Sequence, residues 1–308
     1  MSESNVQEKP DDVRTAVREH YGKAAADFQP KTQASCCGPT PASTDCCSKG
    51  AEDMSASKLY PLSELSELPE DVTGLSMGCG DPITLASLQP GQTVLDLGSG
   101  GGIDCFMAAK KVGESGHVIG VDMTAEMLEK ARANLAKMGF KNVDFRLGEI
   151  EHLPVADNTV DVIISNCVVN LSPDKPQVFR EAFRVLRPGG KLALSDIVTD
   201  GPLPQVVKDS LSAWAGCVAG ALDVKEYIAT IEAAGFTSIE LTPVYFDDQT
   251  IDEYVKEIAP EAGGKPGKRL IISDGTQTKV IELGEDVDLG DRPVRKAIFS
   301  AKITARKP

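Results

Sequence analysis

The chain has 308 residues, 41% of them hydrophobic and 5% aromatic, and a formal net charge of −14. That apolar content sustains a large core, and the length calls for one large domain with an appendage or for two domains. The negative balance argues against nucleic acid and anionic membranes as partners, because both attract basic surfaces.

No apolar run approaches the roughly 20 residues of a membrane span. The opening M-S-E-S-N-V-Q-E-K-P lacks the basic and apolar regions of a secretory signal, so a cytoplasmic location is expected. Cysteines there stay mostly reduced. The eight cysteines therefore read as soft-ion ligands, redox couples or small buried hydrophobes rather than as a disulfide frame.

Residues 10–30 have helical spacing, with Val13, Ala16, Val17, Tyr21 and Ala24 near one face. A Gly/Pro/Ser/Thr stretch follows, A-S-C-C-G-P-T-P-A-S-T-D-C-C-S-K, with four cysteines where a packed core is least expected. From Gln92 strands and helices alternate. T-V-L-D-L precedes G-S-G-G-G and the helix C-F-M-A-A-K-K-V. H-V-I-G-V-D-M-T is a second strand, and A-E-M-L-E-K-A-R-A-N-L-A-K-M is an amphipathic helix closed by Gly139. V-D-F-R-L-G-E-I and V-D-V-I-I-S-N-C-V-V are the third and fourth strands. The helix K-P-Q-V-F-R-E-A-F-R-V-L-R is stopped by P-G-G, and K-L-A-L-S-D-I-V is a fifth strand.

Near-continuous apolar strands between helices imply a parallel sheet covered on both faces, an α/β doubly wound fold. Beyond it come a helical region at 204–221, the helix V-K-E-Y-I-A-T-I-E-A-A-G and the strand S-I-E-L-T-P-V-Y-F. The terminal R-K-A-I-F-S-A-K-I-T-A-R is expected to return to the same sheet, leaving a polar, Gly-rich insert at 247–293 with no assigned role.

Glycines at the first strand-to-helix turn (Gly98, Gly100 and Gly102, with Asp96 in the strand before them and Ser99 between) allow a ligand close to the backbone. G-x-G-x-G alone also serves plain packing. Asp122, ending the second strand, is placed to accept hydrogen bonds from both hydroxyls of a ribose. The nicotinamide fingerprint wants G-x-G-x-x-G, and here the third glycine comes one residue early with no Walker lysine after it. An adenosine-containing ligand with an amino-acid tail fits better.

On D-L-G-S-G-G-G, G-V-D-M-T, L-G-E-I-E-H-L-P-V-A-D-N-T-V-D-V-I-I-S-N and R-V-L-R-P-G-G-K-L-A-L-S-D, residues 92–197 resemble the class I S-adenosylmethionine-dependent methyltransferases. The resemblance implies a Rossmann-like, mostly parallel seven-stranded sheet. It implies that Asp122 holds the ribose, Met123 lies against the adenine, Glu149 and Ile150 flank its other side, and Asn166 sits near the methionine moiety.

The cysteine contexts narrow the match. G-L-S-M-G-C-G-D-P, S-N-C-V-V-N-L-S-P-D-K, W-A-G-C-V-A-G-A-L and K-T-Q-A-S-C-C resemble the motifs of arsenite methyltransferases, with the likeness running from about residue 10 to 245. Met77 departs from relatives that carry an aromatic residue before G-C-G. The resemblance implies arsenic at Cys167 and Cys217 with a third thiol from Cys36 or Cys79, and Cys37 as an alternative loop ligand. Cys36 and Cys79 would also serve redox turnover, while Cys46 and Cys47 receive no role. Trivalent arsenic is soft and prefers thiolates, and its lone pair would attack the sulfonium methyl without a general base. That agrees with a chain holding three histidines, none in a ligand spacing. Each methylation takes arsenic to the pentavalent state, so thiols must return two electrons and an external reductant of the thioredoxin or glutathione class must reopen the resulting disulfide.

The implied organisation is an N-terminal helix and cysteine-rich loop over 1–75, acting as a lid, and a donor-binding core over 76–200. An arsenic-binding helical segment and sheet edge follow over 201–246, then an insert plus terminal strand over 247–308. The expected partners are arsenite or its thiol conjugates and a dithiol reductant protein. Two rival readings remain: a class I methyltransferase acting on a quinone ring or similar small molecule, and a cysteine-based soft-metal store or sensor.

Overall fold

Alternation sorts the apolar runs into two cores. In the first strand Val94 faces one side, while Leu95 and Leu97 join the other. In the fourth, Val162 and Ile164 oppose Val160 and Ile163. Side chains of a strand point to opposite faces in turn, so a strand apolar at both parities must be covered twice. The structure is a computed structural model. It describes residues 10–28, 60, 62–66, 68–75, 78, 80–201, 220–245, 269–273, 278–282 and 298–308. All but the last two residues of the helical region expected at 204–221 and most of the 247–293 insert lie outside the described residues, as do Cys36, Cys37, Cys46, Cys47, Cys79 and Cys217.

Helix α1 (Pro10–Asp27) precedes two short helical turns, α2 (Leu62–Leu65) and α3 (Glu70–Thr73), and the five-residue α4 (Pro82–Ala86). The alternating region then runs β1 (Thr93–Leu97), α5 (Ile103–Val112), β2 (His117–Asp122), α6 (Ala125–Met138), β3 (Val143–Leu147) and β4 (Val160–Asn166). A 3₁₀ turn at Val169–Leu171 leads to α7 (Lys175–Val185), β5 (Leu186–Thr199), α8 (Val224–Ala233) and β6 (Thr237–Val244). Strands β7 (Arg269–Ser273) and β8 (Thr278–Glu282) pair as a hairpin within the insert, and β9 (Ile298–Arg306) ends the chain.

Seven strands form one sheet in the order β3-β2-β1-β4-β5-β9-β6. The first five run parallel, whereas β9 is antiparallel to both β5 and β6. The terminal strand thus returns to the sheet as expected, slotting between β5 and β6. Its Ile303 faces Leu194 on one side and Leu241 on the other.

One core packs Phe179, Val178 and Ala182 of α7 with Tyr227 and Ile231 of α8; the other packs Phe106 of α5 with Leu128 and Ala131 of α6. Helix α6 ends where expected, at Gly139 with φ 73°, whose N–H caps Leu135. Helix α7 ends sooner than its apolar period indicated. Leu186 is already extended and pairs with Val160, two residues ahead of Pro188, and Arg187 before that proline is biased toward extended backbone.

Candidate functional site

The chain reverses direction across the sheet between β1 and β4, and open parallel sheets bind ligands at that crevice beyond the strand ends. A cavity of about 950 Å³, counted out to its mouth, lies there. Its floor comes from the segments after four strands: Gly98–Gly101 after β1, Asp122 to Thr124 after β2, Gly148 and Ile150 after β3, and Asn166 to Val168 after β4. Arg14, Val17 and Tyr21 of α1 close one side, and α1 packs against α6 and the 3₁₀ turn.

The glycine loop is shaped by hydrogen bonds to Asp122. Gly100, at φ 49°, donates its N–H to Asp122 Oδ2 at 2.9 Å, and Thr124 N–H donates to Oδ1 at 2.8 Å. A Cβ on Gly100 would meet nothing within 4 Å, so that face is open. Burial raises the Asp122 carboxyl above its ordinary range, opposed by those backbone donors.

Asp96, expected beside the glycine loop, gives way at the cavity to Asp104, which no motif had singled out. Asp96, in the strand before the glycine loop, does not line the cavity and accepts from Cys105 Sγ at 3.3 Å, inside the core. Asp104, in the first turn of α5, does line it, and accepts from Tyr60 Oη at 2.8 Å. Burial lifts Asp104 from 3.8 to about 7, partly offset by hydrogen bonds from Tyr60 and Asn166. Burial and then the Asp104 charge raise Asp96, and burial with Asp96 raises the Cys105 thiol. Among the described residues neither Asp104 nor Asp122 has a basic partner.

Of the other expected donor contacts, Gly98, Ser99, Gly100, Met123, Ile150 and Asn166 line the cavity. Gly102 instead caps α5, packed against Phe106 and Phe145. Glu149 faces away from the lining and pairs with Arg18 at 3.3 Å and Arg14 at 3.8 Å. Arg14 also reaches Glu151 at 3.4 Å, whose Oε1 accepts from Ser172 Oγ at 2.6 Å. Arg14 and Asp104 escaped the sequence reading because no motif carries them, while Tyr21 was read only as part of a helix face and Glu151 lay unremarked two places beyond Glu149. The acidic first turn of α5 and the half-apolar face of α1 were their only local signals.

Cys167 lines the cavity next to Asn166, 4% exposed, with φ 60°. That left-handed conformation is uncommon for a side chain with a Cβ and marks a held position. Cys167 is disulfide-bonded, and its partner is outside the described residues; Cys105 is free and buried.

Residues 88–235 match a family described as a methyltransferase domain. An arsenite methyltransferase from Halobacterium salinarum is 48% identical over 76% of this chain and 60% of its own length. One from Aquipseudomonas alcaligenes is 38% identical over 89% of this chain and 77% of its own. The chain therefore spans between three-fifths and about three-quarters of these relatives. The crystal structure of an arsenic(III) S-adenosylmethionine methyltransferase from Chlamydomonas reinhardtii is 34% identical, with a TM-score of 0.57 over 80% of this chain and 72% of that one. With the class I methyltransferase sheet order and a cysteine beside the glycine loop, these likenesses establish that the chain belongs to the arsenite methyltransferase family.

Proposed function

We propose that the protein transfers methyl groups from S-adenosylmethionine to thiol-bound trivalent arsenic, yielding methylated arsenicals in arsenic detoxification. The observation that carries this reading is that Cys167 lines the same cavity as the glycine loop and Asp122. A soft-ion ligand and an adenosine-type site then share one wall.

The cavity suits the donor in three respects. Asp104 and Asp122 have no ion-pair partner among the described residues and burial raises both carboxyls, so a cationic ligand would stabilise their charged forms. The buried Ser99 Oγ has no partner among the described residues, and an unpaired buried hydroxyl is costly unless a ligand satisfies it. The open side of Gly100 leaves room for close approach. When bound, S-adenosylmethionine supplies a sulfonium methyl group as the electrophile. Asp122 would accept the ribose hydroxyls, Met123 and Ile150 would flank the adenine, and Asp104 would supply charge to the cationic end. Helix α1 would exclude water from that side.

Arsenic is the substrate in this scheme. Cys167 and Cys217 would hold it, with Cys36, Cys37 or Cys79 as third thiol, in keeping with its preference for sulfur. Its lone pair needs no base. The disulfide at Cys167 is the oxidised form that a dithiol reductant would have to reopen before arsenic binds. The 1–75, 76–200, 201–246 and 247–308 divisions remain the working assignment of lid, donor core, arsenic segment and insert.

The test incubates protein with S-adenosylmethionine, arsenite and a dithiol, and separates arsenic species by chromatography with elemental detection. Methylated arsenic should form with wild type and fall at least a hundredfold with Cys167→Ser, while donor affinity stays within threefold. Equal turnover by the variant would remove Cys167 from the chemistry.

A further inference from the structure

Asn166 ends β4 at the cavity, and its amide, which also bonds the Asp104 carboxyl, is largely turned to a neighbouring segment. Nδ2 donates to Gly80 O at 2.7 Å and to Tyr60 Oη at 2.9 Å, and Oδ1 accepts from Gly80 N–H at 3.1 Å. One side chain thereby satisfies both backbone groups of Gly80, as a paired strand would. Gly78 closes on the same amide, where any Cβ would collide with the Asn166 side chain. Ser195, the register partner of Asn166 on β5, plays the matching part: a Cβ on Gly80 would collide with its Oγ. The Ser195 carbonyl also accepts the N–H of Cys167 at 2.7 Å. The two glycines that flank Cys79 in the chain and the backbone of Cys167 are thus gripped by the same pair of residues.

This arrangement deepens the reading of arsenic as substrate and rests on it. We propose that Asn166 is a positioning residue for the arsenic thiols, holding the backbone on either side of Cys79 against the end of β4 that carries Cys167. The physical gain is pre-organisation. Three thiols on separate segments lose conformational freedom when one ion gathers them, and that loss subtracts directly from affinity. A segment already tied through two backbone hydrogen bonds has lost much of that freedom before arsenic arrives. Both glycines are then required, because any side chain would push the segment off the amide.

The inference separates two roles that a cavity-lining asparagine could have. A donor contact would show in donor affinity, and a thiol clamp in arsenic affinity. Full-length protein is reduced, and arsenite binding is measured by equilibrium dialysis with elemental detection, S-adenosylmethionine binding by calorimetry. Gly80→Ala, whose added Cβ would collide with Ser195 Oγ, should raise the arsenite Kd at least tenfold and leave the donor Kd within threefold, and Asn166→Ala should raise the arsenite Kd by at least as much. If Asn166→Ala does not fold, Asn166→Asp is read for arsenite affinity alone, since it keeps an acceptor for Gly80 N–H and loses the donors to Gly80 O, Tyr60 and Asp104. Arsenite binding as tight as wild type overturns the proposal, and so does a loss of donor affinity matching the loss for arsenite. A wild-type protein that binds the donor but no arsenite overturns the underlying reading and this inference with it.

Discussion

Asp104 is a buried acid kept where its charge is expensive, and Asp104→Asn isolates that cost. The amide keeps an acceptor for Tyr60 Oη, which lies 2.8 Å from the carboxylate, and removes the charge together with the second acceptor that Asn166 uses, so the pH dependence of the difference reports the charge. Folding raises the carboxyl from 3.8 to about 7, so the native state binds the proton more tightly than the unfolded chain. The stability this contributes is complete below the unfolded value and is lost as pH rises through about 7. At about 1.4 kcal/mol per pKa unit, the charged form costs on the order of 4 kcal/mol once the group is ionised in both states. Between pH 5.5 and 8.5 the wild type should lose about 2 kcal/mol relative to the variant. Urea titrations of donor-free protein at both pH values measure this directly, read as the gap in unfolding free energy. A gap that is constant or shrinks with rising pH would refute the reasoning. The complementary arm is binding: at pH 8.5 the variant should hold S-adenosylmethionine at least tenfold more weakly. Native stability is then higher in the variant and donor affinity lower, as expected where a site retains an unfavourable charge for its ligand.

Other consequences are equally direct. Arg14→Met removes the partner of Glu151, which is 4% exposed, and one of the two partners of Glu149. It should cost about 2 kcal/mol in urea unfolding and weaken donor binding, because Arg14 also lines the cavity. Phe179→Ala opens a void beneath α7, where the ring meets Tyr227 edge-on at 5.7 Å. About 3–5 kcal/mol should be lost, seen as a lower urea midpoint.

Much of the cavity wall was legible from residue order. The strand-end glycines and Asp122 stand at fixed offsets from apolar runs, and helix caps such as Gly139 are local chemistry. Other features turn on contacts between residues far apart in the chain. Asn166 was placed near the donor by its motif, but its amide meets Gly80, 86 residues earlier. Glu149 was read as an adenine neighbour, and it pairs with arginines more than 130 residues upstream.

By itself the sequence determined the alternation of buried strands and amphipathic helices, the glycine turn and the acid after β2, because each is set by spacing within a few residues. Only the tertiary structure decided that β9 slides between β5 and β6, that Asp104 rather than Asp96 faces the cavity, and that Asn166 bonds the backbone of Gly80. Those outcomes depend on which surfaces meet when the sheet assembles. Two aspartates eight positions apart carry the same chemistry until packing buries one against a thiol and turns the other toward the cavity.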